Sequence, residues 1–133
     1  MSNFITRKKI QDLSKNVLGE PFNVEEWGGC VYIKAWTGQE RADFISKVQS
    51  IYSETDKPDV HGLFNFQTEV IALSLYGEDG EPLYDITNTS DIKEVKAIEA
   101  NLLQKLFEEC ATRNGLVDNR IVTDIKNSET TQS

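Results

Sequence analysis

Few residues in this chain of 133 are suited to nucleophilic or acid–base chemistry. His61 is the only histidine, so any nucleophile–histidine pair would have to include it, and no motif surrounds it. Cys30 falls in a predicted strand and Cys110 on the apolar stripe of a predicted helix, where a free thiol behaves as a small buried hydrophobe. Two distant cysteines and one histidine also exclude an ordinary zinc site. We therefore predict no catalytic, cofactor-binding or metal-ligating residue, and a structural or surface role for His61.

Carboxylates could supply a second kind of chemistry. The glutamates at 25–26 and at 108–109 are adjacent in sequence, so each pair diverges on a strand or a helix and favours a solvated surface. Residues 78–81 lack the ligand series of a calcium loop and predict a turn. An enzyme with an unfamiliar site is one functional hypothesis. It would have to bring His61, Cys30 and such scattered carboxylates into one cleft.

The distribution of charge excludes several classes of partner. The net charge is -8, and residues 1–19 carry +3, which leaves -11 for the rest of the chain. Nucleic acid and anionic membranes bind cationic patches, so we expect neither as a partner. No secretion leader opens the sequence and no apolar stretch is long enough to cross a membrane, so we expect a soluble, cytoplasmic protein.

Composition divides the chain into three segments. Residues 1–19 predict a short basic helix that begins after Thr6. We expect residues 20–122 to form the folded domain and residues 123–133 to form a flexible polar tail. The basic helix is either a solvated amphipathic element or a docking element for an acidic partner surface.

A β-hairpin is predicted at the start of the domain. Runs of β-branched and aromatic residues flank Gly28-Gly29, a pair that tolerates the positive φ angles of a tight turn. Trp27, Tyr32 and Trp36 lie in or beside this hairpin and are our candidate interface residues. An isolated hairpin leaves strand edges exposed, so we expect the chain to form a homo-oligomer.

Helices are predicted over most of the remaining domain. A capping box at 37–40 begins one helix, and the apolar residues of 61–76 surround most of a helical wheel, as in a central helix. One long helix, capped by Asp91, should run to the glycine-containing stop at 114–115. The predicted core residues are Phe44, Val48, Phe66, Val70, Leu73, Leu102, Leu106 and Phe107. The fold class is α+β, a mainly helical single domain with an N-terminal β-hairpin.

The order of these motifs resembles the tail assembly chaperones of siphophages and prophages. The resemblance covers roughly residues 20–118, and Cys30 departs from it where a small residue often follows the two glycines. It is carried by Glu26-Trp27-Gly28-Gly29-x-Val31-Tyr32-Ile33, Thr37-Gly38-x-Glu40-Arg41, Ala72-Leu73-Ser74-Leu75, Glu78-Asp79-Gly80-x-Pro82-Leu83-Tyr84 and Asn114-Gly115-Leu116.

This resemblance implies a non-enzymatic function. Such chaperones coat the tape measure protein in the bacterial host cytoplasm while the tail tube assembles around it, and they are absent from the finished particle. The implied partners are the tape measure protein and, second to it, the tail tube protein. The alternative is another phage structural component, such as a head–tail adaptor, which would remain in the particle.

Overall fold

Helices form most of the part of the chain that the structure describes, and a small antiparallel sheet lies near its N-terminus. A computed structural model of the chain describes residues 4–14, 17–52 and 59–116. The helices are α1 (Arg7–Ser14), α2 (Gly38–Tyr52), α3 (Val60–Ser74), α4 (Thr89–Lys96) and α5 (Ala100–Arg113), and the strands are β1 (Phe22–Val24), β2 (Gly29–Ile33) and β3 (Leu75–Tyr76). The predicted mainly helical α+β class is confirmed, whereas the predicted polar tail at 123–133 lies outside the described residues.

The N-terminal helix begins where the sequence predicts. The Thr6 hydroxyl accepts a hydrogen bond from the backbone N–H of Lys9 at 3.2 Å, as an N-cap residue does. None of the residues of α1 is buried.

The hairpin forms, but its turn is longer than predicted. Residues Glu25–Trp27 make a turn of 3₁₀ helix, and the N–H of Gly28 bonds to the Glu25 carbonyl at 3.0 Å. Gly28 has a φ of 69°, whereas Gly29 pairs with Val24 inside the sheet. A single positive φ therefore closes the turn, and Trp27 lies in the turn instead of in a strand.

The hairpin is not isolated, because a third strand pairs with it. The predicted helix at 61–76 ends at Ser74, and Leu75 and Tyr76 pair with Ile33 and Tyr32. Local periodicity cannot reveal this ending, since the pairing with β2 is tertiary. β2 is thus the middle strand of the sheet, so its outer edge is covered by β3, whereas β1 is an edge strand. Self-association itself stays a prediction.

The capping box before α2 is confirmed on both sides. The backbone N–H of Thr37 bonds to the Glu40 carboxylate at 2.9 Å, and the N–H of Glu40 bonds to the Thr37 hydroxyl at 3.1 Å. Glu40 also forms a 2.7 Å ion pair with Lys34, the residue that follows β2. The capping box therefore fixes where α2 begins, and the ion pair holds this start beside the sheet.

The single long helix predicted at the C-terminal end is wrong, because the chain breaks it into α4 and α5. Asn88, not Asp91, caps α4 by accepting from the N–H of Asp91 at 3.1 Å. Glu99 caps α5 by accepting from the N–H groups of Asn101 and Leu102. The predicted C-terminal end of the helix is confirmed. Gly115, which has a φ of 72°, comes two residues after Arg113, the last residue of α5.

The core lies where α3 packs against α2, α4 and α5, so α3 is the central helix. Leu73 is only partly buried, because it lies at the edge of the core. Cys30, predicted to be buried, is exposed, since alternate residues of β2 face the solvent. The other predicted core residues are buried: Phe44, Val48, Phe66, Val70, Leu102, Leu106 and Phe107.

Candidate binding site

The residues that could carry nucleophilic chemistry are not brought together. Cys110 is buried in the core, and burial raises the pKa of its thiol to about 12. Cys30 lies on the solvent face of β2. His61 is exposed in the first turn of α3, about 20 Å along the helix from Ser74, which lies against the sheet. Within residues 4–14, 17–52 and 59–116, no group of three or more His, Cys, Asp or Glu side chains could hold a metal ion.

Trp36 is fixed by contacts inside the protein. Its indole N–H donates to the Ser74 hydroxyl at 2.8 Å, and its ring centroid lies 4.8 Å from that of Phe44. The backbone N–H of Trp36 bonds to the side-chain oxygen of Asn114 at 2.7 Å, and the Asn114 amide donates to the Lys34 carbonyl at 3.1 Å. These contacts join the end of β2 to the end of α5.

Tyr32 lies in the middle of the sheet and is half-buried. Its Cα partner is Tyr76 of β3, and its side chain shares the outer face of β2 with Cys30, opposite to the buried Val31 and Ile33. The outer face of the sheet is thus a small surface with both polar and apolar groups.

Trp27 is the most exposed of the three candidate interface residues, with 45% of its surface accessible. It lies in the hairpin turn, whereas Trp36 follows the opposite end of β2. The structure therefore separates the candidate interface residues along β2 and does not gather them into one patch.

Trp27 lines an open groove of about 610 Å³ between the hairpin turn and the junction of α4 with α5. Leu102 is buried and the neighbouring Ile98 is half-buried, so these two side chains form its floor. We name this feature the corner groove. The apolar and aromatic side chains that line the corner groove are those of Trp27, Tyr84, Ala97, Ile98 and Leu102.

Three exposed glutamates surround the corner groove: Glu26 from the hairpin turn, Glu94 from α4 and Glu99 from the cap of α5. Glu26 forms an exposed ion pair with Lys105 at 3.4 Å, so Glu94 and Glu99 supply most of the negative charge of the rim. Hydrogen bonds from the backbone N–H groups of Asn101 and Leu102 lower the pKa of Glu99, which keeps this carboxylate charged. Burial, and next to it the charges of Glu94 and Asp91, raise the pKa of Tyr84. The groove thus combines an apolar floor with an acidic rim.

The local sequence pattern does not predict this groove. The apolar stripe of the last predicted helix continues through Val95, Ile98 and Leu102, and neither glycine nor proline interrupts it. The break at 97–99 depends on Glu99, a residue type that is seldom recognised as an N-cap. Trp27 was identified from the sequence, whereas Tyr84, Ile98 and the three glutamates were not.

An apolar floor inside an acidic rim suits a helix that carries an apolar edge and basic flanks. Burial of the apolar edge would supply the binding free energy, and the glutamates would select against acidic chains. No helix in the described part of the chain is long and apolar enough to cross a membrane.

Comparisons with protein-family models, with curated proteins and with solved structures find no match for this chain.

Proposed function

We propose that this protein is a phage tail assembly chaperone. It binds and solubilises the tape measure protein in the bacterial host cytoplasm while the tail tube assembles, carries out no catalysis, and leaves before the particle is complete. The observation that carries the proposal is the corner groove, and the sequence resemblance stated above is a second, independent support.

The corner groove has the chemistry that such a client requires. A tape measure protein is a long helical chain with apolar stripes, which would aggregate if they stayed exposed to water. One turn or two of such a helix can place its apolar residues on Leu102, Ile98 and Trp27. The glutamates of the rim then favour segments in which basic residues flank the stripe.

The acidic body serves the second half of the task, which is solubility. The chain after residue 19 carries a net charge of -11. Many copies along one client would surround it with like charge, and this repulsion opposes aggregation between neighbouring complexes.

The test is co-expression with the tape measure protein encoded by the same genome, followed by measurement of its soluble fraction and by pull-down. Trp27→Ala should lower the recovered client at least several-fold, because it removes the largest exposed aromatic surface of the groove. Val60→Ala is the matched control: Val60 is exposed to the same degree, 46% against 45%, but lies outside the groove.

Two results would overturn the proposal. If no tape measure fragment is bound or solubilised by the wild-type chain, the chain is not this chaperone. If the chain is retained in purified particles at a fixed copy number, it is a structural component such as a head–tail adaptor.

A further inference from the structure

The exposed edge of α1 matches the corner groove in chemistry. Ile10 and Leu13 lie one turn apart on the same edge of the helix and are 55% and 63% exposed. Successive residues are rotated by about 100°, so Arg7 and Lys9 flank this edge on its two sides, while Lys8 lies opposite to it. The helix thus presents two apolar side chains between two cations.

We propose that the corner groove binds the α1 helix of a second copy of this chain. Ile10 and Leu13 lie on the floor made by Leu102 and Ile98, beside Trp27. The cationic flanks of the same helix face the acidic rim of the groove. The arrangement needs no partner beyond the protein itself.

Charge complementarity favours α1 over other segments of the chain. Residues 4–14 carry three basic side chains and one acidic side chain, a net charge of +2. Residues 117–133 carry two basic and three acidic side chains, a net charge of -1, and would be repelled by Glu94 and Glu99.

The position of α1 in its own chain favours a contact between copies. Leu18 pairs with Lys34, at the end of β2 that is remote from Trp27 and the hairpin turn. The α1 helix therefore joins its own domain at the opposite end of β2 from the corner groove, and its apolar edge is exposed there.

The contact joins two different surfaces, so each copy offers one donor helix and one acceptor groove. Reciprocal exchange closes a dimer with two such contacts, whereas one-way binding extends a chain of copies. The proposed client uses the same groove. The self-association nevertheless stands without the proposed function, because it is measured on this protein alone, and the absence of a client does not affect the result.

The experiment is sedimentation velocity of the full chain over a concentration series, with variants that disable one surface at a time. Ile10→Asp with Leu13→Asp disables α1, and Trp27→Ala with Glu94→Lys disables the groove. Each pair should weaken self-association by more than about tenfold, because apolar burial is lost and the charge contact becomes repulsive. Lys8→Glu is the matched control for α1: it makes the same charge change of two units on the opposite side of the helix, and it should alter the association by less than about twofold.

A mixture of the two disabled proteins identifies the contact directly. One retains an intact groove and the other an intact α1, so the mixture should form a one-to-one heterodimer at concentrations at which neither protein associates with itself. A wild-type chain that stays monomeric at all concentrations would overturn the proposal, and so would self-association that survives both pairs of substitutions or a mixture that does not associate. Circular dichroism of each variant checks that the exposed substitutions leave the fold intact.

Discussion

The two tryptophans of this protein lie at opposite ends of β2. They differ in how much of the indole ring is in contact with other residues of the chain. At one end, Trp36 bonds to Ser74 and to Asn114 and packs against Phe44. At the other end, Trp27 lies 45% exposed in the wall of the corner groove. An aromatic residue beside a strand is therefore no evidence of an interface until its intramolecular contacts are known.

The largest expected difference between the two ends is in stability. Trp36→Ala should lower the free energy of unfolding by about 3 kcal/mol, because it opens a cavity against Phe44 and removes a partner of the buried Ser74 hydroxyl. Trp27→Ala should lower it by about 1 kcal/mol or less, since 45% of its surface is already solvated. Urea denaturation of both variants measures the two values, and equal losses would refute the distinction.

Asn114 should show the next largest effect on stability, because its side chain hydrogen-bonds the end of β2 to the end of α5. It accepts from the N–H of Trp36 and donates to the carbonyls of Lys34 and Cys110. Asn114→Ala should cost about 2 kcal/mol of unfolding free energy, since these backbone groups lose their partner. Asn65→Ala, at an exposed position of α3, is the control and should change the stability by less than about 0.7 kcal/mol. A small effect of Asn114→Ala would mean that water replaces the amide without loss.

Glu40, at the Trp36 end of β2, should contribute to the pH dependence of stability. Burial raises the pKa of Glu40, but the hydrogen bonds from Lys34 and Thr37 and the charge of Lys34 outweigh it, so the pKa is lowered from its ordinary value of 4.5. A carboxyl with a lowered folded pKa adds stability above the unfolded pKa and loses it as the pH falls through the folded value. Thermal melts of Glu40→Gln should therefore lie below those of the wild type at pH 7 and converge with them under acid conditions. A constant separation at every pH would contradict this role of the charge.

The smallest expected effect lies at the groove end and concerns Tyr84. Burial contributes most to its raised pKa, and the charge of Glu94 contributes next. Glu94→Gln should move the pKa of Tyr84 part of the way back to its ordinary value, whereas Glu78→Gln, in the turn after β3, should leave it unchanged. NMR titration with ¹³C-labelled tyrosine resolves the phenol. No shift in Glu94→Gln would remove Glu94 from the surroundings of this ring.

Local patterns were sufficient for the elements whose ends depend on neighbouring residues. The capping box at Thr37 and the stop at Gly115 are examples, because each is a hydrogen-bonding arrangement within a few residues of sequence. Patterns failed where distant contacts decide the outcome: β3 exists because Leu75 pairs with Ile33, and no periodicity reports that.

The candidate site was predictable only in part for the same reason. Trp27 stands out as a large aromatic residue beside a glycine pair, so composition identifies it. The remainder of the corner groove depends on the break between α4 and α5, which carries Glu94, Ile98 and Glu99 into place beside the hairpin turn. The acidic rim is therefore a product of the tertiary fold.

The most direct test of the central claim, that the corner groove accepts a helix, follows the environment of Trp27 itself. In Trp36→Phe the indole of Trp27 is the only one left, since the chain has two tryptophans. At a protein concentration below that of self-association, addition of a tape measure fragment should shift the tryptophan emission to shorter wavelength and reduce its quenching by acrylamide, because the bound helix covers the exposed indole. If the fragment binds but neither the emission nor the quenching of Trp27 changes, the groove is not the binding site.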